Sequence, residues 1–281
     1  MEGHLNLRFE QRGLRTVLTQ SRSTLPLQAS KPMEIEGSEG AAWVMLLNPT
    51  GGLLGGDCLT TTIDLAKGAH AVLTTPSATK VYRSNSAPTF HRTDIHLADD
   101  AVLEYLPDHV IPHPGASLVQ SLSIDMEPGS RAIVLDVFSV GRVARRERWL
   151  FNELTTEVVI SRSGQLVCRD RICIKPESWI PSGLGGMDGA SYAATMLLCA
   201  DGPLDWPDIA GTFTNCFSDN QDATGAASAL ANGGCLIRYY TQSAQCLKQV
   251  TRALWATARC ALLERPPLEI RGGIAYHSVM M

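Results

Sequence analysis

From residue 60 to about residue 175 the chain runs as short alternating apolar and polar segments broken by turn residues, the pattern of half-buried strands. Val72 and Leu73 follow Gly68, and Val102 and Leu103 follow Asp99-Asp100. Ile133 to Leu135 follow Pro128-Gly129, and Leu166-Val167 follow Ser163-Gly164. The turns recur at a loose period of about 30 residues, each unit being a strand, a turn and a second strand. Ser121 to Met126, leading through Pro128-Gly129 into Arg131 to Val137, is one such unit. A unit of this kind cannot bury its apolar face alone, so the units are expected to stack. The expected fold is mainly β: a stacked β-helical or layered architecture with a few helices, one near the C-terminus.

Beyond the periodic region, Pro181 to Asp222 is rich in Gly, Asp, Asn, Ser and Pro and reads as loops and short strands. A strand over Cys235 to Tyr240 precedes a change of period. Leu247, Val250, Leu254, Ala258 and Leu262 are spaced by three and four, which predicts a helix within Ser243 to Glu264. Pro266 and Pro267 end it, because a proline inside a helix removes a hydrogen bond and clashes with the preceding turn. The apolar stripe is expected to pack on the chain's own sheet.

The 281 residues are read as a single domain, residues 1-281, since β-rich folds commonly reach this size undivided. Hydrophobic residues at 44% supply a core, and with aromatics at only 6% its packing leans on Leu, Val, Ile and Ala. A net charge of -4 argues against nucleic acid as a partner. The basic run Arg142, Arg145, Arg146 and Arg148 contains Glu147 and reads as a solvated or partner-facing surface. The N-terminal stretch alternates polar and apolar residues without the apolar core of a secretory signal, so a cytoplasmic protein is expected. No apolar run approaches the roughly 20 residues that span a bilayer, so no membrane partner is expected. The eight cysteines lack a CxxC pair and are expected to be reduced and mostly buried.

Candidate chemistry begins with Gly51, Gly52, Gly55 and Gly56 around Asp57. A phosphate loop of the Walker type needs a lysine and a following helix, whereas here Asp57 leads into Thr60, Thr61, Thr62 and Ile63, which have strand chemistry. A lone carboxylate among glycines either caps a turn by accepting backbone N–H bonds or has a functional role. Arg142 is suited to anchor Glu147 or a neighbouring carboxylate through its planar fork. Thr74, Thr75, Ser77 and Thr79 are expected to satisfy the backbone where Pro76 breaks a strand. His109 and His113 have the spacing of a helical metal pair, but Pro107, Pro112 and Pro114 exclude a helix there, and HExxH is absent. His91 and His96 fall on opposite faces of a strand, and His70 stands alone. A β-scaffold hydrolase using Asp57, His109 and His113 is the enzymatic alternative, although no GxSxG elbow accompanies it.

The block from Leu46 to Arg83, LLNPTGGLLGGDCLTTTIDLAKGAHAVLTTPSATKVYR, joins that glycine loop to Lys80, Tyr82 and Arg83. Tyr105-Leu106-Pro107, Val110-Ile111-Pro112, Gly115-Ala116, Gly141-Arg142, Glu147 and Arg169-Asp170-Arg171 follow, and Leu236-Ile237-Arg238-Tyr239 and the helix around Trp255 come near the end. In these motifs the chain resembles the UreD (UreH) family of urease accessory proteins, whose members help load nickel into urease. The ending keeps Pro267 and Arg271 but lacks the tryptophan expected after that arginine. The resemblance implies a non-enzymatic urease maturation factor, a nickel-insertion chaperone or scaffold linking apo-urease to a UreF-like helical accessory protein and a UreG-like GTPase. It implies no tightly bound cofactor and a transient nickel ion passing a polar route. The partner or metal-route candidates are Asp57, Lys80, Tyr82, Arg83, Asp136, Arg142 and Glu147.

Overall fold

The computed structural model describes all residues except 34, 36, 86, 182, 184, 185, 219–222 and 269–281. The chain opens with β1 (Glu2–Arg12) and β2 (Arg15–Ser23), an antiparallel pair at one edge of a first sheet, sheet I. Short β3 (Gln28–Ala29) and β4 (Ala42–Leu47) start a second sheet, sheet II. The chain then coils. β5 (Cys58–Leu65) in sheet I turns at Gly68 into β6 (His70–Thr74) in sheet II, and β7 (Thr79–Val81) leads back toward sheet I. β8 (Thr89–Leu97), β9 (Val102–Leu106) and β10 (Val110–Pro112) form the next coil. β11 (Ser117–Met126) and β12 (Arg131–Ser139) form the third. β1, β5, β8 and β11 are parallel neighbours, as are β4, β6, β9 and β12, while β7 and β10 pair as a narrow side wall.

The expected turns at Gly68, Asp99-Asp100 and Pro128-Gly129 are corners between the two sheets. The turn at Ser163-Gly164 differs: β13 (Glu153–Arg162) folds back there on β14 (Gln165–Ile174) as an antiparallel hairpin within sheet I. This caps the parallel stack with β14, an edge strand that no further strand pairs among the described residues.

The segment from Pro181 to Asp222 holds the expected loops, but also a longer strand and a helix that the expectation lacked. It contains β15 (Tyr192–Ala200), buried along its whole length, and α1 (Trp206–Asn215). Ala193 and Leu197 are buried on one face of β15 and Ala194 and Met196 on the other, in two separate cores, so polar alternation is lost. Asp205 begins α1 by accepting from the Asp208 N–H at 3.0 Å. After β16 (Ala223–Leu230) and β17 (Gly234–Thr241), the expected C-terminal helix is α2 (Ala244–Ala258), continued by a π turn over Arg259–Leu263.

These elements make three layers. Alternate residues of sheet I, such as Leu5, Leu7, Ile63, Ile95 and Ile124, meet Ala71, Leu73, Leu103 and Val134 of sheet II in one core. The other face of sheet II, through Val72, Ile133, Leu135, Met196 and Tyr239, packs under α1 and α2 in a second core containing Phe213, Leu247, Leu254 and Trp255. Sheet II is therefore buried on both faces, and its outer neighbour sheet I keeps the clean alternation read from the sequence.

Candidate functional site

In-register stacking places like positions of successive coils side by side. His91 of β8 is aligned with Leu59 of β5 and Gln120 of β11, and Gln120 is aligned with Thr156 of β13. Thr61 and Thr93 form the adjacent rung. Tyr105 and Asp136 face them from sheet II, and between the sheets lies a cavity of about 230 Å3. Its lining runs outward past Pro107 and Asp108 to Asn48, Gly52, Thr75 and Lys80 at one end of the coil.

Inside the cavity the Thr156 hydroxyl donates to Asp136 Oδ2 at 2.6 Å, and Gln120 Nε2 donates to Asp136 Oδ1 at 3.2 Å. Thr61 Oγ1 and His91 Nε2 are 3.5 Å apart. Burial pushes the Asp136 carboxyl up to about 6, with the Asp170 charge adding to it and the Thr156 hydrogen bond opposing it. Burial pulls His91 down to about 4, so its imidazole is neutral at neutral pH and keeps a lone pair. Burial also pushes Tyr105 up to about 12. Asp136 belongs equally to a second cavity of about 260 Å3, lined by Arg171, Cys173, Thr195 and Arg238 and bordered by Trp179, which is 60% exposed. Arg238 Nη2 donates to Asp170 Oδ1 there at 2.5 Å.

The remaining candidates gather at the end of the coil where the first cavity opens. Gly52 sits so close to the β7 segment that a Cβ on it would lie 2.6 Å from the Tyr82 ring and 2.7 Å from the Lys80 carbonyl oxygen. The glycine loop and the Lys80–Arg83 segment are thus one packed unit. The Leu53 N–H donates to Lys80 O at 2.8 Å, the Tyr82 ring stands edge-on to His113 with centroids 4.8 Å apart, and Arg83 lies against Gly115. The His113 imidazole is held below its ordinary value by burial and then by the charge of Arg142, with Glu147, Lys80 and Arg145 also in range. Arg142 grips Glu147 as its planar fork suggested, through Nε at 2.5 Å and Nη2 at 2.8 Å. Arg148 donates to Ser191 Oγ and to the Gly189 and Ala190 carbonyls, tying this turn to the start of β15.

Asp57 is buried, and its Oδ2 accepts from the Leu54 N–H at 2.9 Å while Oδ1 meets the Met1 amine at 2.8 Å. It caps its loop and does not line either cavity. The hydrolase set is given separate surroundings. His109 Nδ1 bonds Asp108 at 2.7 Å and its ring meets Tyr192, whereas His113 meets Tyr82. Thr75 Oγ1 donates to Ser77 O across Pro76 at 3.1 Å, while Thr74 Oγ1 donates to Leu106 O and Thr75 Oγ1 accepts from the Asp108 N–H on the next coil.

Three features escaped the sequence. His91, Gln120 and Thr156 read as interruptions of the apolar alternation, and only the roughly 30-residue period could have aligned them. His70 does not stand alone: it bonds Glu104 at 2.7 Å beneath α2. His96, Asp125 and Glu127 group on the outer face of sheet I, where exposed acidic sets are commonplace without an ion. Arg271 lies outside the described residues.

The decisive observation for identity is a match of residues 1–272 to the family model described as UreD urease accessory protein. The chain belongs to the UreD family. Among its relatives, the urease accessory protein UreD of Dechloromonas aromatica is 32% identical over 273 residues, 93% of this chain and 90% of that one. The UreD of Mycolicibacterium gilvum is 30% identical over 251 residues, 89% of this chain and 90% of that one. The UreD of Delftia acidovorans is 40% identical over a shorter stretch, 52% of this chain and 48% of that one. Among the described residues no helix is long and apolar enough to cross a membrane.

Proposed function

We propose that this UreD-family chain is a cytoplasmic, non-enzymatic urease maturation factor. It joins apo-urease to a UreF-like helical accessory protein and a UreG-like GTPase, and gives nickel, its cargo, a polar route between the two sheets. GTP hydrolysis belongs to the GTPase. The observation that carries the route is the position of Asp136 on the wall of both cavities, one reaching the Lys80 end of the coil and the other bordered by Trp179. Neutral His91, the hydroxyls of Thr61, Thr93 and Thr156 and the Asp136 carboxylate are the oxygen and imidazole donors that Ni(II) accepts. Spread along a wall instead of gathered into a closed cage, they suit passage better than storage. Because the carboxyl titrates at about 6, it is mostly ionised at neutral pH and able to meet a cation. Lys80, Tyr82, Arg83, Arg142 and Glu147, clustered beside the cavity opening, supply a charged face for a partner. Asp57 acts by shaping the loop that closes on that face.

The test is the nickel content of urease co-expressed with its other accessory proteins, with and without this chain. Nickel-free urease in its absence and loaded urease in its presence is the expected result; equal loading would sink the maturation role and return attention to catalysis by the isolated chain. Asp136→Ala is expected to lower loading while partners still bind, and Glu147→Ala to weaken partner capture. Full loading and full capture by both variants would discard the route and the charged face.

A further inference from the structure

The helix-facing side of sheet II holds a buried polar network that the nickel route does not use. Glu104 of β9 is fully buried and accepts from Trp255 Nε1 at 2.6 Å, from His70 Nε2 at 2.7 Å and from Arg259 Nη1. Arg259 also donates through Nε to Pro266 O at 3.0 Å and lies over the Trp255 ring. Arg265, just past the π turn, brings Nη1 to 2.8 Å from His70 Nδ1 and Nε to 3.3 Å from Glu39. A guanidinium only donates, so His70 Nδ1 must be the acceptor. Nε2 then carries the hydrogen and donates to Glu104. The partners on its two sides therefore fix His70 as one neutral tautomer.

We propose that the His70–Arg265 contact is an acid-sensitive latch, closed while His70 Nδ1 accepts from Arg265 and opened when a proton takes that lone pair. Protonation at Nδ1 removes the acceptor and sets imidazolium against guanidinium, so Arg265 must leave. The chain just past the π turn then loses this tie to sheet II and keeps the Arg259 hydrogen bond to Pro266 O and its apolar packing. The charged groups facing His70 are Glu104 from β9, Arg259 from the π turn and Arg265 beyond it, with Glu39 behind Arg265; the backbone N–H of His70 is held by Thr16. Burial first, and the charges of Arg265 and Arg259 after it, outweigh the pull of Glu104 and hold the imidazole below its ordinary value. Closure is therefore complete above the ordinary histidine pKa of about 6.5 and weakens below it, by at most about tenfold per pH unit. This latch is independent of the nickel route.

The test is hydrogen exchange of the full chain, following the peptide that spans residues 259–268, in wild type, His70→Gln and Arg265→Ala at each pH. Comparison at equal pH cancels the intrinsic exchange rate. Glutamine offers an oxygen and an N–H at nearly the spacing of Nδ1 and Nε2, and it does not titrate. The expected result is protection in wild type at pH 7.5 that falls relative to His70→Gln by up to about tenfold per unit below pH 6.5. Arg265→Ala, at the solvent edge, should be less protected than wild type at pH 7.5 and show no acid step, which tests the latch even if the core variant does not fold. Parallel loss in wild type and His70→Gln, or wild-type protection in Arg265→Ala, would overturn it.

Discussion

Asp136 shows how one residue is set by its surroundings. Its folded-state value of about 6 lies above the roughly 3.9 of an unfolded aspartate, so the folded chain binds the proton more tightly. Its contribution to stability is therefore fully present below about pH 4 and is lost as pH rises through about 6. A rise from about 3.9 to about 6 makes that loss on the order of 3 kcal/mol by neutral pH. Asp136→Asn keeps an acceptor for Gln120 and an amide for the rotatable Thr156 hydroxyl. It should raise stability at pH 7 by about that amount and leave it unchanged near pH 4, as read from urea titrations at both pH values. An equal effect at the two pH values would refute the buried-charge account. Gly141 is set by space: at φ +137 a Cβ there would lie 2.3 Å from the Glu147 carbonyl oxygen. The Gly141-Arg142 motif is thus the condition for the turn that lets Arg142 grip Glu147.

At the scale of elements, α2 follows from local rules that the sequence carries openly. Ser243 caps it by accepting from the Cys246 N–H at 3.1 Å, and its buried stripe of Leu247, Val250, Leu254 and Trp255 meets sheet II. Ser243→Ala should cost about 1 kcal/mol, measured as a lower urea midpoint at unchanged slope. No loss would mean that packing alone holds the first turn. β15 and α1 were illegible for the opposite reason. The sequence YAATMLLCA carries no period of two because both faces are covered, and α1 is short enough for its Gly211 and Pro207 to read as loop. The Ser163-Gly164 turn was legible as a turn, but whether it crosses to sheet II or folds back depends on what lies beside it.

For the whole molecule, stacking turns scattered residues into a continuous wall. Thr156→Val and Gln120→Leu each take a donor from Asp136 and leave its buried carboxylate short of a partner, so each should cost about 1–3 kcal/mol at pH 7. If the cavity carries nickel, the same pair should lower the nickel content of co-expressed urease; full loading by a folded double variant would show that these polar groups are not on the route. From the sequence alone came the mainly β coil, its turns at Gly68, Asp99-Asp100 and Pro128-Gly129, the C-terminal helix, the family, and Glu147 as one of the carboxylates Arg142 could anchor. These are written in short-range signals: alternation, turn chemistry, helical spacing and motifs. Tertiary structure alone decided that His91, Gln120, Thr156 and Asp136 share one cavity, that Asp57 caps a loop away from it, and that His70 meets Glu104 and Arg265. Those neighbours come from distant parts of the chain, and their meeting depends on strand register and layer order, which no local stretch of sequence encodes by itself.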